Sequence, residues 1–105
     1  MAQNKPVADD HLKAWSDVAN SDLLVSPSNV TSTDRLRLIA SVANVGEQRN
    51  TSTQMIAVAD LIDMLFDRGY VLDPEGLNNL VDEDISAALE LVVEFVQIAG
   101  KALNT

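Results

Sequence analysis

The last stretch of the chain, residues 84–103, constrains the fold more than any other because nearly all of it is apolar. On a helical wheel its polar side chains form one stripe about 80° wide. Its apolar residues cover about 240°, whereas an ordinary surface helix presents an apolar stripe of little more than about 100°. This pattern predicts a helix with neighbours on most sides, either central in a bundle or at an oligomer interface.

Polar residues in the middle of the same stretch exclude a transmembrane helix. Glu90, Glu94 and Gln97 interrupt it, so no uncharged run approaches the ~20 residues that a span requires. The chain begins without the apolar segment of a signal peptide. It also contains no cysteine, which excludes a disulfide framework and suits a reducing compartment. We therefore expect a cytoplasmic protein that does not contact membranes.

Apolar spacing along the chain predicts an all-α fold. Its length of 105 residues is that of one domain, residues 1–105, of which residues 1–6 form a polar lead. The periodicity predicts four main helices at about residues 7–21, 34–48, 53–68 and 84–103, packed as a compact bundle. Residues 74–81 are expected to form only a short helical turn, because they contain glycine and two asparagines. No segment has the length and alternation of a strand.

Several residues indicate where these helices begin and end. Ser52 or Thr53 is expected to cap the third helix, since both follow a polar loop. Gly69 is expected to stop that helix as its C′ residue. Asp73 followed by Pro74 predicts a new helical turn, with aspartate as the cap and proline in the first position.

The charge of the chain is strongly negative and unevenly distributed. The net charge is −9; residues 1–52 carry five basic and six acidic side chains, while residues 53–105 carry two and ten. This balance disfavours direct binding to nucleic acid or to anionic membranes. A charged partner would be basic. The candidate acidic docking face comprises Asp60, Asp63, Asp67, Glu90 and Glu94, although a solvated surface would show the same residues.

The residues required for common catalytic and metal sites are absent. With one histidine and no cysteine, the chain has no Cys-His pair and no multi-His zinc site. No glycine-rich loop precedes a helix to hold a phosphate group. We therefore predict a protein that is not an enzyme and uses no cofactor or metal.

The wide apolar arc of the last helix leaves surface that another chain could cover. Each helix of a four-helix bundle typically has about three apolar residues in seven, and the last helix has more. The candidate interface residues are Ile85, Leu89, Val93 and Val96 on that helix, together with Ile56 and Met64, which project from the acidic side of the third helix. Alternatively, residues 23–25 and 70–72 cover the surplus within one chain.

Two functions of different classes are consistent with these features. The first is a small acidic helical protein–protein interaction module that self-associates, as a homo-oligomer, or joins a larger assembly. The second is an acidic inhibitor that imitates nucleic acid and blocks a basic nucleic-acid-binding protein, in the manner of viral anti-defence proteins. The salt dependence of binding distinguishes the two functions, because electrostatic binding weakens with ionic strength whereas apolar association persists.

Overall fold

A computed structural model of the chain describes the backbone of residues 15–103 and the side chains of residues 15–100. Within this part of the chain no strand is present, only an isolated antiparallel bridge between Leu24 and Val71. The predicted all-α bundle is confirmed. The elements in chain order are two 3-10 turns, Ser21–Leu23 and Pro27–Asn29, and the helices α1 (Ser32–Glu47), α2 (Thr51–Asp67), α3 (Pro74–Glu83) and α4 (Ile85–Leu103).

The first predicted helix, residues 7–21, falls largely outside the described residues, as does the predicted polar lead. In its described portion, Trp15 and Ser16 are helical and the chain turns from Asp17 onward. Asn20 has a φ of 67°, in the left-handed region that asparagine tolerates but a right-handed helix does not use. The predicted end at residue 21 is therefore several residues too late.

Side-chain caps make α1 and α2 begin two residues before the predicted positions. The hydroxyl of Thr31 accepts a hydrogen bond from the backbone N–H of Asp34 at 3.3 Å. The side chain of Asn50 accepts one from the backbone N–H of Thr53 at 2.9 Å. The cap of α2 is therefore Asn50, and the prediction of Ser52 or Thr53 is wrong. Asparagine caps as well as serine does, so a run of polar residues does not single out one cap.

The predicted end of α2 and start of α3 are confirmed. Gly69 follows the last turn of α2 with a φ of 77°, which is the left-handed conformation that ends many helices. Asp73 accepts a hydrogen bond from the backbone N–H of Gly76 at 2.9 Å, and Pro74 is the first residue of α3. α3 is nevertheless a regular helix of 10 residues, longer than the predicted turn at 74–81.

Gly76 lies in α3 at a position where its neighbours leave no room for a Cβ atom. A Cβ atom at this position would lie 2.6 Å from Oδ2 of Asp73 and 2.7 Å from Cδ2 of Leu23. Glycine therefore leaves room for both the capping carboxylate and a buried leucine. The sequence pattern counts Gly76 only as an unfavourable helix residue, whereas its neighbours require the absence of a side chain.

Gly76→Ala is expected to lower the free energy of unfolding by about 1–2 kcal/mol, because crowding outweighs the ~1 kcal/mol by which alanine favours a helix. Gly46→Ala is the matched control, since no atom lies within 4 Å of its added Cβ. That variant is expected to be more stable by about 0.5–1 kcal/mol. Urea denaturation compares the two, and an equal gain in both would contradict the close packing at Gly76.

α4 occupies the centre of the core, as its apolar arc predicts. Leu91, Val92 and Phe95 are at most 1% exposed. The Phe95 ring meets Trp15 edge to face at a centroid distance of 5.4 Å, and it lies 6.3 Å from the ring of Tyr70. α1 packs against both α2 and α4, and α3 packs against α4. α4 therefore has helical neighbours on more than one side.

The connector before α1 and the connector between α2 and α3 are hydrogen-bonded to each other. The N–H of Val25 donates to the carbonyl of Tyr70 at 2.9 Å, and the N–H of Leu72 donates to the carbonyl of Leu23 at 2.8 Å. Leu24 is 2% exposed. The second 3-10 turn packs against α4 and the first against α3. Part of the surplus apolar surface is therefore covered within one chain.

Candidate functional site

The apolar interface predicted on α4 is mostly covered by the chain itself. Ile85 and Leu89 are half-buried and pack against the core, and Val93 is also half-buried. Val96 is only 3% exposed, so its side chain fills the core and offers no surface to a partner. This corrects the expectation for Val96 and leaves only part of the other three side chains accessible.

The two apolar candidates on α2 have different surroundings. Ile56 is 61% exposed, whereas Met64 is half-buried and packs against the core. Ile56 lies at the edge of an open depression of about 220 Å³ between the end of α1 and the start of α2. Its lining residues are Asn44, Gln48, Thr53, Ile56, Ala57 and Asp60. The depression is too shallow to enclose a ligand, and Ile56 stands in it as a single aliphatic side chain.

The five acidic candidates are all exposed and belong to two helices. Asp60, Asp63 and Asp67 share the outer face of α2, and Glu90 and Glu94 lie one turn apart on α4. Among residues 15–100, none of these carboxylates forms an ion pair. Both helices pack against α1. The acidic residues therefore produce a negative field over two helices.

α1 carries an exposed aliphatic surface that is absent from the predicted interface residues. We define the outer face of α1 as Leu36, Ile39, Ala40 and Ala43, which fall within about 100° on a helical wheel. Leu36 is 58% and Ile39 is 40% exposed, and both alanines are exposed. The opposite side of the helix contributes Leu38 and Val45 to the core. α1 is therefore apolar on two opposite sides.

A buried polar cluster fixes which side of α1 faces inward. Asp34 is 6% exposed and accepts a hydrogen bond from the hydroxyl of Tyr70 at 2.5 Å. The guanidinium groups of Arg37 and Arg68 lie 3.2 and 3.5 Å from the other carboxylate oxygen. The cluster thus joins the start of α1 to the end of α2 and turns Leu36 toward solvent.

The electrostatics of this cluster favour the charged form of Asp34. The hydrogen bond from Tyr70 is the largest cause that lowers the pKa of this carboxyl below its ordinary value. Burial opposes that effect, and Arg37, Arg68 and Thr31 lower the pKa further. Both carboxylate oxygens of Asp34 have partners within the chain, so the cluster stabilises the fold.

Ile39 lies at the border between the outer face of α1 and the end of α4. A Cβ atom placed on Gly100 would lie 3.3 Å from Cδ1 of Ile39, so the absence of a side chain on α4 gives Ile39 its position. A signal for the outer face exists in the sequence, because the apolar residues of α1 together span an arc of about 220°. That arc is about as wide as the arc of α4, but only α4 is central.

Within residues 15–100, no three His, Cys, Asp or Glu side chains are arranged to hold a metal ion. No helix in the described part of the chain has the length and apolar character needed to cross a membrane. Comparison of the chain with protein families, with curated proteins and with solved structures finds no match.

Proposed function

We infer that this protein is a non-enzymatic helical module that acts through protein–protein contact and self-associates. The observation that carries this proposal is the outer face of α1. Leu36 and Ile39 are 58% and 40% exposed, and the exposed Ala40 and Ala43 continue the same face. A contiguous apolar surface on a helix that already fills the core with its opposite side is typical of a protein-binding surface.

The residues around this face also suit binding. Arg37 stands beside it with 48% of its side chain exposed, and Glu47 is exposed at its far end. Interfaces commonly combine an apolar centre with a polar rim, and the charged rim sets orientation more than affinity. This arrangement needs no cofactor and no titratable group with an unusual environment.

An acidic inhibitor of a basic protein is the second candidate function. It is supported by the exposed carboxylates of α2 and α4, which have no ion-pair partner among residues 15–100. They are Asp60, Asp63, Asp67, Glu90 and Glu94. Their field would attract a basic surface at long range. Capping explains the carboxylates of Asp73 and Asp84, so fewer acidic groups are available for such binding than the total charge suggests.

The proposed self-association predicts a molar mass above the 11.3 kDa of one chain. Light scattering after size exclusion, over a wide range of protein concentration, is expected to show a mass that rises with concentration. High salt is expected to leave this mass unchanged, because apolar contacts are not screened. A mass of 11.3 kDa under every condition would contradict self-association.

The same preparation distinguishes the second candidate. A basic nucleic-acid-binding protein would be mixed with the chain at low and at high salt. Formation of a complex at low salt that dissociates at high salt would favour the acidic inhibitor. Failure to bind at either salt concentration, with a mass above one chain, would favour the self-associating module.

A further inference from the structure

We propose that the partner of the outer face of α1 is a second copy of this chain, whose α1 packs against it in the antiparallel direction. This inference rests on the proposed self-association and adds the partner, the direction and the register. It moves the interface from the predicted residues of α4 and from Ile56 and Met64 of α2 to the solvent side of α1. The half-buried state of Ile85, Leu89 and Val93 supports that move.

The order of large and small residues on this face is self-complementary. Leu36 and Ala43 lie at equal distances from a point midway between Ile39 and Ala40. A twofold axis at that point brings Leu36 of each copy opposite Ala43 of the other. Each leucine then packs over an alanine instead of meeting a second leucine. The twofold relation thus packs the leucine of each copy against the alanine of an identical chain.

The two residues nearest the twofold axis meet their own counterparts. Ala40 faces Ala40 of the second copy, and its small side chain lets the two helix backbones approach closely. Ile39 lies on the α4 side of the face, where its side chain packs over Gly100, and it meets Ile39 of the second copy there. Helices packed 8–10 Å apart with Cα atoms ~2.3 Å from each axis place the Cα atoms of Leu36 and of the opposite Ala43 roughly 3.5–5.5 Å apart. The two Ala40 Cα atoms lie about 50° off the line between the axes and are roughly 5–7 Å apart.

The charge at the ends of α1 suits the same direction. Glu47 is exposed in the last turn of α1, on the side that carries Leu36. In the antiparallel arrangement its carboxylate lies beside Ser32, in the first turn of α1 of the second copy. The helix dipole favours negative charge at that end. A parallel arrangement would instead place Glu47 beside Glu47.

Cysteine crosslinking tests this register directly, because the chain contains no cysteine of its own. Three single variants are needed, Leu36→Cys, Ala43→Cys and Ala40→Cys, all at exposed positions. Ala40→Cys is expected to form a disulfide-linked dimer by itself on mild oxidation, since the roughly 5–7 Å between the two Cα atoms overlaps the ~4.4–6.8 Å range of disulfides. Leu36→Cys and Ala43→Cys are each expected to stay uncrosslinked alone and to crosslink when mixed.

Leu36→Cys and Ala43→Cys should not crosslink alone because of the distance along the helix axis. In the antiparallel register each Leu36 is displaced from its own counterpart by seven residues, which is about 10 Å at a rise of ~1.5 Å per residue. A parallel arrangement would reverse the result, because Leu36→Cys and Ala43→Cys would then each crosslink with itself. Ala59→Cys, exposed on α2, is the matched control and is expected to remain uncrosslinked. Circular dichroism confirms that each variant is folded.

The outcomes separate this inference from the proposed function. Efficient crosslinking in the mixture of Leu36→Cys and Ala43→Cys, with little in either variant alone, supports the antiparallel register. A mass above one chain without that pattern overturns the register and leaves self-association standing. A mass of one chain at every concentration, with no crosslinking in any variant, overturns both.

Discussion

Phe95→Ala is expected to lower the free energy of unfolding by about 3–5 kcal/mol, the usual range for removing a large core side chain. Phe95 is 0% exposed, and its ring contacts both Trp15 and Tyr70. Alanine would leave a cavity between α4, Trp15 at the start of the described chain and Tyr70 in the connector that follows α2. Such a loss is a large part of the ~5–15 kcal/mol that stabilises a domain of this kind. Urea denaturation followed by circular dichroism measures it.

Leu72→Ala is the control for this prediction, because Leu72 is 64% exposed. Its loss is expected to be within about 0.5 kcal/mol, as for most surface substitutions. If Phe95→Ala and Leu72→Ala were equally stable, α4 would not be the centre of the core.

Asp34→Asn is expected to lower the free energy of unfolding by about 1.5–3 kcal/mol at neutral pH, the range for hydrogen bonds to a charged group. The variant weakens the contact from Tyr70 and removes the charge that faces Arg37 and Arg68. The three partners would then share one neutral amide oxygen in place of a carboxylate. Chemical denaturation of the variant and the natural chain gives the difference.

The contribution of Asp34 is expected to depend on pH. Its pKa in the folded chain is lowered from the ordinary value of 3.8, so above pH 3.8 the carboxylate contributes its full stabilisation. As the pH falls through 3.8 toward the lowered pKa, the unfolded chain takes up the proton first and the stabilisation is lost. The difference between Asp34→Asn and the natural chain should therefore shrink in acid.

Tyr70→Phe is the companion variant for the same cluster. It removes the hydroxyl that lowers the pKa of Asp34 most and keeps the ring beside Phe95. A loss of about 0.5–1.5 kcal/mol is expected for one hydrogen bond, with the pKa of Asp34 rising toward its ordinary value. A pH-independent difference between Asp34→Asn and the natural chain would contradict the role of the carboxylate charge.

Local signals were sufficient to place α2, α4 and most of α1. The apolar arc at residues 84–103 identifies a central helix, because so few positions on it are polar. Gly69 ends α2 through its own backbone preference. Asp73 and Pro74 start α3 through a cap and a fixed φ angle. Each of these features depends on residues within a turn or two, which a single sequence contains.

Contacts between distant residues decided what the sequence could not show. Gly76 is tolerated in α3 because Leu23, far away in the chain, occupies the space of its side chain. Asp34 faces inward because Tyr70, 36 residues later, donates to it. Periodicity alone treats Asp34 as a polar surface residue and groups Leu36 with the core. Likewise, nothing local distinguishes the buried Val96 from the half-buried Val93.

The candidate functional site depends on contacts between distant residues in the same way. Exposure of Ile56 and of all five acidic candidates follows from their polar surroundings and is found in the structure. The outer face of α1 is recognised only after the orientation of that helix is known. Two helices have wide apolar arcs, and only tertiary contacts show that α4 is enclosed while α1 keeps one apolar side exposed.

The paired connectors hold the two ends of the α1–α2 segment together. The chain departs at Val25 and returns at Tyr70, where a backbone hydrogen bond of 2.9 Å joins the two points. The segment between them contains α1 and α2, and it leaves and rejoins the rest of the described chain at one place. Insertions at its tip, beside the exposed Arg49, leave its two ends in place. The length of this loop can therefore vary while the enclosed helix stays unchanged.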